Sequence, residues 1–279
     1  MRKRKIIVCI SLASLLVLVV SLSGCIFRFD ENIYEYTDAE YEADENTVLE
    51  VSNINGLVNV TGWDGDTVYL KVVKSVKERY GEDEFEKVEV NVNEIGNKLC
   101  IETVYLENNA HVAVFMDIKV PMYVTVESVQ TINGGVYLTN LKGDVQIDVA
   151  NGYITVCGVD GYVAAKTANG PITIRDTTGV SDIVTLNGVI DVEVYDFKED
   201  IEISTINGVM DIFINPELDA NLEIESKSIA GIFSLNDMTP LLDVTRFDSR
   251  HIEATLNEGG NKIYMTITSG FIDLHKLNS

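Results

Sequence analysis

Apolar and polar residues alternate along most of the chain after residue 48, in short runs separated by turns. Six runs share one sequence pattern: an Asn-Gly pair, one further residue, and then two aliphatic residues separated by a single residue. Period-two alternation buries one face of a strand and exposes the other, so these runs predict β-strands. The predicted inward pairs are Val58/Val60, Val136/Leu138, Ile154/Val156, Ile172/Ile174, Ile190/Val192 and Met210/Ile212.

The Asn-Gly pairs recur at a nearly constant spacing. From residue 133 onward the spacings are 18, 18, 18 and 20 residues, and an earlier copy stands at 55–56. A fixed short period predicts an all-β, β-helix-like solenoid with one corner per unit. Stacked corners allow an Asn side-chain ladder, and Gly accepts positive φ. The predicted structural turn residues are Asn55, Gly56, Asn133, Gly134, Asn151, Gly152, Asn169, Gly170, Asn187, Gly188, Asn207 and Gly208.

Asn-Gly between alternating apolar runs is also a strong hairpin signal, so an antiparallel meander or sandwich is the alternative. The constant phase favours the solenoid. Two segments interrupt it: a β-rich insertion at 76–127, with strands expected at 88–92, 98–105 and 112–126, and a loop at 236–262. Later, degenerate copies are Ala230-Gly231 and Ser269-Gly270.

The N-terminus is typical of an exported lipoprotein. Four cations at residues 2–5 precede an apolar run that ends at Leu22. The sequence Leu22-Ser23-Gly24-Cys25 resembles a lipobox, in which the Cys thiol accepts a diacylglycerol and becomes the mature N-terminus. An uncleaved membrane helix is the alternative, and both interpretations place the rest of the chain outside the cytoplasmic membrane. We therefore expect a lipid-anchored protein at the outer face of the cell membrane or in the cell envelope.

The expected organisation has three parts: a signal peptide at 1–24, an acidic tether at 25–47 and an adhesin-like β-solenoid domain at 48–279. Without the four N-terminal cations the exported part has 17 cations and 44 anions, a net charge of −27. Such a surface repels nucleic acid and anionic lipid headgroups, so membrane attachment must come from the lipid anchor. The tether is acidic and therefore expected to be extended.

Two cysteines, Cys100 and Cys157, remain in the exported domain. They could form a disulfide in an oxidising compartment, but their separation in space is not set by the sequence. Buried free thiols at inward strand positions are the favoured interpretation.

The chain resembles a family of exported or membrane-tethered β-solenoid proteins of unassigned function that are labelled adhesins. The matching features are a strand through Lys119-Val120-Pro121, the Asn-Gly units from 133 to 208, and a closing segment from Gly259-Gly260-Asn261 to Ile272. The resemblance covers residues 48–279. It implies an extracytoplasmic location and a role in adhesion or envelope sensing, and it brings no functional residues with it.

Few residues are candidates for a catalytic or metal-binding site. The three histidines are not paired at metal-binding spacings, and no nucleophile elbow, Walker loop or dinucleotide fingerprint occurs. Asp191 and Asp211 occupy the same place in adjacent units, so their carboxylates are expected about 5 Å apart on an outward face. A solvated surface, a weak Ca²⁺ site and carbohydrate-lyase or hydrolase chemistry are the three interpretations.

The sequence thus favours a non-enzymatic, lipid-anchored surface protein with an adhesin-like or scaffolding role and no cofactor. Its expected partners are the membrane, through the anchor, and an envelope polysaccharide or a surface protein. The first alternative is an envelope-stress or signalling accessory that captures a partner through residues 76–127. The second is a carbohydrate-active enzyme that uses Asp191 and Asp211.

Overall fold

The structure is a computed structural model that describes residues 31–278. Its helical parts are three short 3₁₀ segments, Glu78–Tyr80, Glu82–Lys87 and Asn236–Leu241. No helix in this part of the chain is long and apolar enough to cross a bilayer. The all-β class is confirmed. The strands are β1 (Asn32–Glu42), β2 (Val48–Asn55), β3 (Val58–Trp63), β4 (Thr67–Lys77), β5 (Val88–Ile95), β6 (Lys98–Tyr105), β7 (Ala113–Pro121), β8 (Thr125–Asn133), β9 (Val136–Lys142), β10 (Val145–Asn151), β11 (Ile154–Asn169), β12 (Ile172–Val194), β13 (Ile201–Ile214), β14 (Ala220–Ser234), β15 (Leu242–Asp248), β16 (His251–Leu256) and β17 (Lys262–Lys276).

The repeated units pair in parallel and in register. Asn55 lies opposite Asn133, and the column of Asn residues continues unit by unit to Asn207. The two strands beside an Asn-Gly pair contact other units rather than each other; β8 and β9, for example, pair only through Thr125 and Lys142. The Asn-Gly pairs are therefore not hairpin turns.

All 17 strands belong to one sheet. Strand β11 pairs with β9 through its first half and with β10 through its second half. Strand β8 pairs with β10 and touches β9. The pairings thus return on themselves, and taken alone they define one closed sheet rather than the predicted solenoid.

The core is a set of aliphatic columns that run across the units. All six predicted inward pairs are buried, with at most 1% of each side chain exposed. One column passes from Ile154 to Ile172 and from Ile190 to Met210, so like residues stack on like residues. Each unit buries its apolar face against its neighbours, which is the main stabilising contribution expected of such a stack.

The last strand predicted in the insertion ends earlier than expected. The expected strand over residues 112–126 is divided into β7 and β8 at Pro121, where the Val124 N–H donates to the Pro121 carbonyl at 2.9 Å. Proline has no N–H for a ladder and favours the end of a strand. A turn at Gly96-Asn97 joins β5 to β6, with φ of +67° at Gly96.

The last units are not stacked in chain order. Ser269-Gly270 of β17 pairs with Asn207-Gly208 of β13 on one side and with Ala230-Gly231 of β14 on the other. The final strand therefore lies between two earlier ones. The loop predicted at 236–262 holds the hairpin of β15 and β16, and β16 pairs with β14.

The described part of the acidic segment is a strand rather than a free linker. Residues 32–42 form β1, which pairs with β4 over eleven positions. The tether prediction is therefore wrong for this stretch, because Ile33, Ala39 and Tyr41 lie on one side of the strand and are half-buried. Ile33 and Tyr41 of β1 contact the core.

Candidate functional site

The predicted turn residues form a ladder along one corner of the molecule. The Nδ2 of Asn133 donates to Asn55 Oδ1 at 2.8 Å, and the same bond repeats at 2.9–3.1 Å through the later units. At the first unit, Asn55 donates to the Tyr105 hydroxyl at 3.1 Å. The members of this Asn ladder are Asn55, Asn133, Asn151, Asn169, Asn187 and Asn207.

Glycine follows each ladder residue because the corners approach each other closely. A Cβ on Gly170 or Gly188 would lie 1.8 or 2.0 Å from the carbonyl oxygen of the preceding corner glycine. Gly170 has φ of +147°, as predicted for corners, whereas the φ of Gly188 lies outside the positive region. Close stacking, rather than backbone conformation alone, therefore requires glycine at this column.

The predicted acidic pair is part of a longer row. Asp191 lies opposite Asp211, and Asp211 lies opposite Asp273 on β17. The pKa of Asp211 is raised by burial and by the neighbouring carboxylates of Asp273 and Asp191. Asp273 escaped the sequence analysis because its unit lies 62 residues further along the chain.

An arginine is directed at the acidic row. The Arg175 guanidinium contacts Asp191 and forms an ion pair with Glu193 at 3.1 Å. It also lies over the Phe213 ring, 4.8 Å from the centroid. Within residues 31–278 no group of three or more His, Cys, Asp or Glu side chains is arranged to hold a metal ion.

A second row on the same outward face is entirely without charge. We call it the outer apolar row. It begins on β1 and follows neighbouring strands to the far end of the sheet. Ten steps at about 4.8 Å make it about 48 Å long. Its members, in spatial order, are Tyr36, Val73, Phe115, Leu57, Gly135, Tyr153, Pro171, Val189, Val209, Phe271 and Ile232.

Several members of this row are well exposed: Val189 to 41%, Phe271 to 48% and Ile232 to 56%. Single exposed apolar residues are ordinary, but a contiguous row marks an interaction surface. The sequence contained the signal, because the residue after each Asn-Gly from 55 to 208 is uncharged. No role was predicted for that position, so the row was missed.

A groove of about 400 Å³ crosses the outer apolar row over strands β4, β7, β3 and β9. Phe115 and Tyr137 stand on either side of it, 39% and 38% exposed, with Leu57 between them. Next to the groove, the Tyr153 ring covers Gly135, where a Cβ would lie 2.1 Å from the ring. We call this the aromatic groove; it is lined by Leu57, Asn59, Lys71, Val73, Phe115, Met116, Asp117 and Tyr137.

The aromatic groove also has polar groups. Asp117 lies opposite both Lys71 and Asn59, and Asn59 Nδ2 donates to Asp117 Oδ1 at 2.8 Å. The Tyr137 and Tyr153 rings meet edge to face, with centroids 5.1 Å apart. Burial and the adjacent Tyr137 raise the pKa of Tyr153, so its hydroxyl stays protonated at neutral pH. The groove thus combines ring faces with an amide, a carboxylate and an ammonium group.

The two cysteines are free and lie at outward, half-buried positions. Cys100 Sγ is 3.6 Å from Glu50 Oε2, and Cys157 Sγ is 3.5 Å from Asp176 Oδ2. Burial, followed by the nearby carboxylates, raises the pKa of both thiols. The expectation of free thiols is confirmed, but their predicted inward orientation is wrong. The lipobox residues Leu22 to Cys25 lie outside the described residues.

No protein-family model and no curated protein matches the chain. Among solved structures it is similar to a "putative cell adhesion protein" of Clostridium sporogenes, with 11% identity over 88% of this chain and 100% of that one and a TM-score of 0.39. It is also similar to a "putative adhesin" of Bacteroides fragilis, with 12% identity over 87% of this chain and 97% of that one and a TM-score of 0.48. A third similar structure is a "putative lipid binding protein" of Parabacteroides distasonis, with 12% identity over 86% of this chain and 96% of that one and a TM-score of 0.36. Likenesses this distant do not carry a function to this chain.

Proposed function

We propose that the chain is a non-enzymatic, adhesin-like protein that is lipid-anchored at the outer face of the cytoplasmic membrane. There it binds a linear polymer of the cell envelope. The observation that carries the proposal is the outer apolar row, in which uncharged residues follow one another on neighbouring strands from Tyr36 to Ile232. A row with one residue per strand suits an extended ligand, because successive ligand units can meet successive strands.

The architecture supports this function. We propose that the 18-residue units are coils of a solenoid, with the Asn ladder at one corner and the outer apolar row beside it. The in-register parallel pairing and the aliphatic columns support this interpretation. A stack of this kind has a long, rigid face rather than a concave pocket, which suits binding better than catalysis.

The anchor is supported by the sequence. Leu22-Ser23-Gly24-Cys25 provides the acceptor thiol, and the charge of −27 on the exported part disfavours direct binding to anionic lipid. Strand β1 begins at Asn32, seven residues after Cys25, so an anchor at Cys25 would keep the sheet close to the membrane. A segment of seven residues spans at most about 25 Å.

Arg175 supports the non-enzymatic part of the proposal. It is paired with Asp191 and Glu193, so Asp191 is already engaged in a structural ion pair. A polysaccharide lyase or hydrolase would need this carboxylate free to exchange protons with its substrate.

The anchor is tested by fractionation. We expect the parent chain in the membrane fraction and the Cys25→Ser variant in a soluble extracytoplasmic or secreted fraction. A Cys25→Ser variant that stays in the membrane would support the uncleaved helix instead.

The binding face is tested by capture of host envelope fractions on the full chain, purified in mild detergent. A variant with Val189→Lys and Val209→Lys interrupts the outer apolar row and should capture at least tenfold less envelope polymer. The control, Thr266→Lys, places one charge at a half-buried position outside the outer apolar row and should bind like the parent. Equal capture by all three proteins would refute the role of the row.

A further inference from the structure

The aromatic groove is the part of the outer apolar row where ring faces and polar groups converge. Phe115 and Tyr137 are held by strands that are paired on both sides, so their positions are fixed by the sheet. A rigid groove of about 400 Å³ falls in the range of small-ligand sites. Neither ring is needed to fill the core, because the buried residues Met116 and Leu138 already do so beneath them.

The backbone around the groove is already fully engaged. Strand β7 lies between β4 and β3, and β3 lies between β7 and β9. An incoming peptide therefore finds no free strand edge to extend, which removes the usual backbone contribution to peptide binding. A ligand must be recognised by side chains alone.

The charge of the groove and of the whole chain further restricts the class of ligand. Lys71 is the one cation among the residues that line the groove, and Asp117 stands opposite it. The exported chain carries −27. Polyanions such as nucleic acid, teichoic acid or an acidic glycan are disfavoured by this field.

We infer that the aromatic groove binds pyranose rings of a neutral polysaccharide, an inference that rests on the proposed function and names its ligand class. A pyranose presents an apolar C–H face, which packs on Phe115 and Tyr137. Its equatorial hydroxyls reach the Asn59 amide, the Asp117 carboxylate and the Lys71 ammonium group. Adjacent sugars continue along the outer apolar row toward Tyr153.

The polar pair in the groove is suited to this ligand. Asn59 donates one N–H to Asp117 at 2.8 Å, which fixes the orientation of the amide. The amide then has a second N–H and a carbonyl oxygen for sugar hydroxyls, and Asp117 retains further acceptor sites. Hydroxyl groups can donate to the acid and accept from the amide at once.

The inference is tested with labelled neutral hexasaccharides of β-glucose, β-mannose and β-N-acetylglucosamine, with hexagalacturonate as the anionic probe. Binding to the full chain in mild detergent is measured by fluorescence anisotropy. We expect at least one neutral probe to bind and hexagalacturonate to bind at least tenfold more weakly. The variant Phe115→Ala/Tyr137→Ala should lose at least tenfold in affinity.

The matched control is Phe247→Ala, which removes an exposed aromatic ring of strand β15, outside the outer apolar row. It should bind hexasaccharide within twofold of the parent. Absence of binding to every neutral probe would overturn the inference, and so would equal binding by the groove variant. Thermal melting near the parent value shows that each variant is folded, since the altered side chains lie on the outer face.

The two proposals fail separately. If the groove variant still captures envelope polymer while the parent binds no neutral hexasaccharide, the saccharide inference is wrong and the adhesin-like function stands. If neutral hexasaccharides bind at the groove but no envelope polymer is captured, the ligand class is right and the envelope role is wrong.

Discussion

Asn133 Nδ2 donates a hydrogen bond of 2.8 Å to Asn55 Oδ1, although the two residues are 78 positions apart. Every other bond of the Asn ladder joins residues 18 or 20 positions apart. The residues between Asn55 and Asn133, which include the whole β-rich insertion, are thus accommodated without shifting the corner. The column of corners is preserved across the largest interruption in the sequence.

The Asn ladder should contribute to stability unit by unit. Asn169 donates to Asn151 at 2.9 Å and accepts from Asn187 at 3.0 Å, so Asn169→Ala removes two bonds. Because the ladder is exposed and water replaces part of the loss, we expect destabilisation of about 1 kcal/mol. Urea unfolding measures it. The control Asn93→Ala, an exposed residue of edge strand β5, should change stability by less than about 0.5 kcal/mol.

Close stacking at the corners makes Gly188 intolerant of a side chain. A Cβ there would lie 2.0 Å from the Gly170 carbonyl oxygen, so Gly188→Ala forces neighbouring corners apart. We expect a loss of about 3 kcal/mol. At Gly96, φ is +67° but no atom lies within 4 Å of an added Cβ, so Gly96→Ala should cost only about 1 kcal/mol. Equal costs in thermal unfolding would contradict the stacking argument.

The inward columns should tolerate no charge. Ile172 is fully buried between Ile154 and the following unit, so Ile172→Asp places an unpaired carboxylate in the core. We expect a loss of about 4 kcal/mol or more, enough to unfold a marginally stable domain. The control Thr155→Asp puts the same charge on the outward face and should leave the circular dichroism spectrum unchanged. An Ile172→Asp protein that melts like the parent would refute the inward assignment.

The acidic row should weaken the fold at neutral pH. Burial and the carboxylates of Asp273 and Asp191 raise the pKa of Asp211 in the folded state. The folded state therefore binds this proton more tightly than the unfolded state does, and stability falls as pH rises through the folded pKa. Asp211→Asn should stabilise the protein at pH 7, by a few tenths of a kcal/mol to about 1 kcal/mol.

The gain should shrink as pH falls toward the ordinary carboxyl pKa, where the parent carboxyl is also neutral. Urea unfolding at pH 7 and at pH 4 measures both values. The exposed Glu199→Gln serves as a control that removes one negative charge outside the row. A gain that is equal at both pH values, or equal in the control, would contradict the assignment.

Much of the strand pattern could be predicted because it depends on local alternation. The inward pairs, the corner column and the strand at 98–105 all follow from residue order within one unit. The placement of β17 between β13 and β14 could not be predicted. Ser269-Gly270 and Ala230-Gly231 are equally degenerate corners, and nothing local says which of them stacks on Gly208.

The aromatic groove was hidden for a related reason. Phe115 comes from the insertion and Tyr137 from the first regular unit, and they meet only because β7 pairs with β3. That pairing is long-range and has no counterpart in the repeat. The edge strand β1 was missed because its acidic composition favours an extended linker, whereas its pairing with β4 depends on tertiary contacts.

The in-register column of Asn-Gly corners also bears on how such a chain can change over time. Duplication or loss of one 18-residue unit would leave every remaining corner facing an equivalent corner, as the unbroken contact across the insertion between Asn55 and Asn133 illustrates. Such an event would lengthen or shorten the outer face by one strand spacing, about 4.8 Å, and the remaining units would keep the same kind of core packing. The length of the outer face can thus change during evolution in discrete steps of one unit.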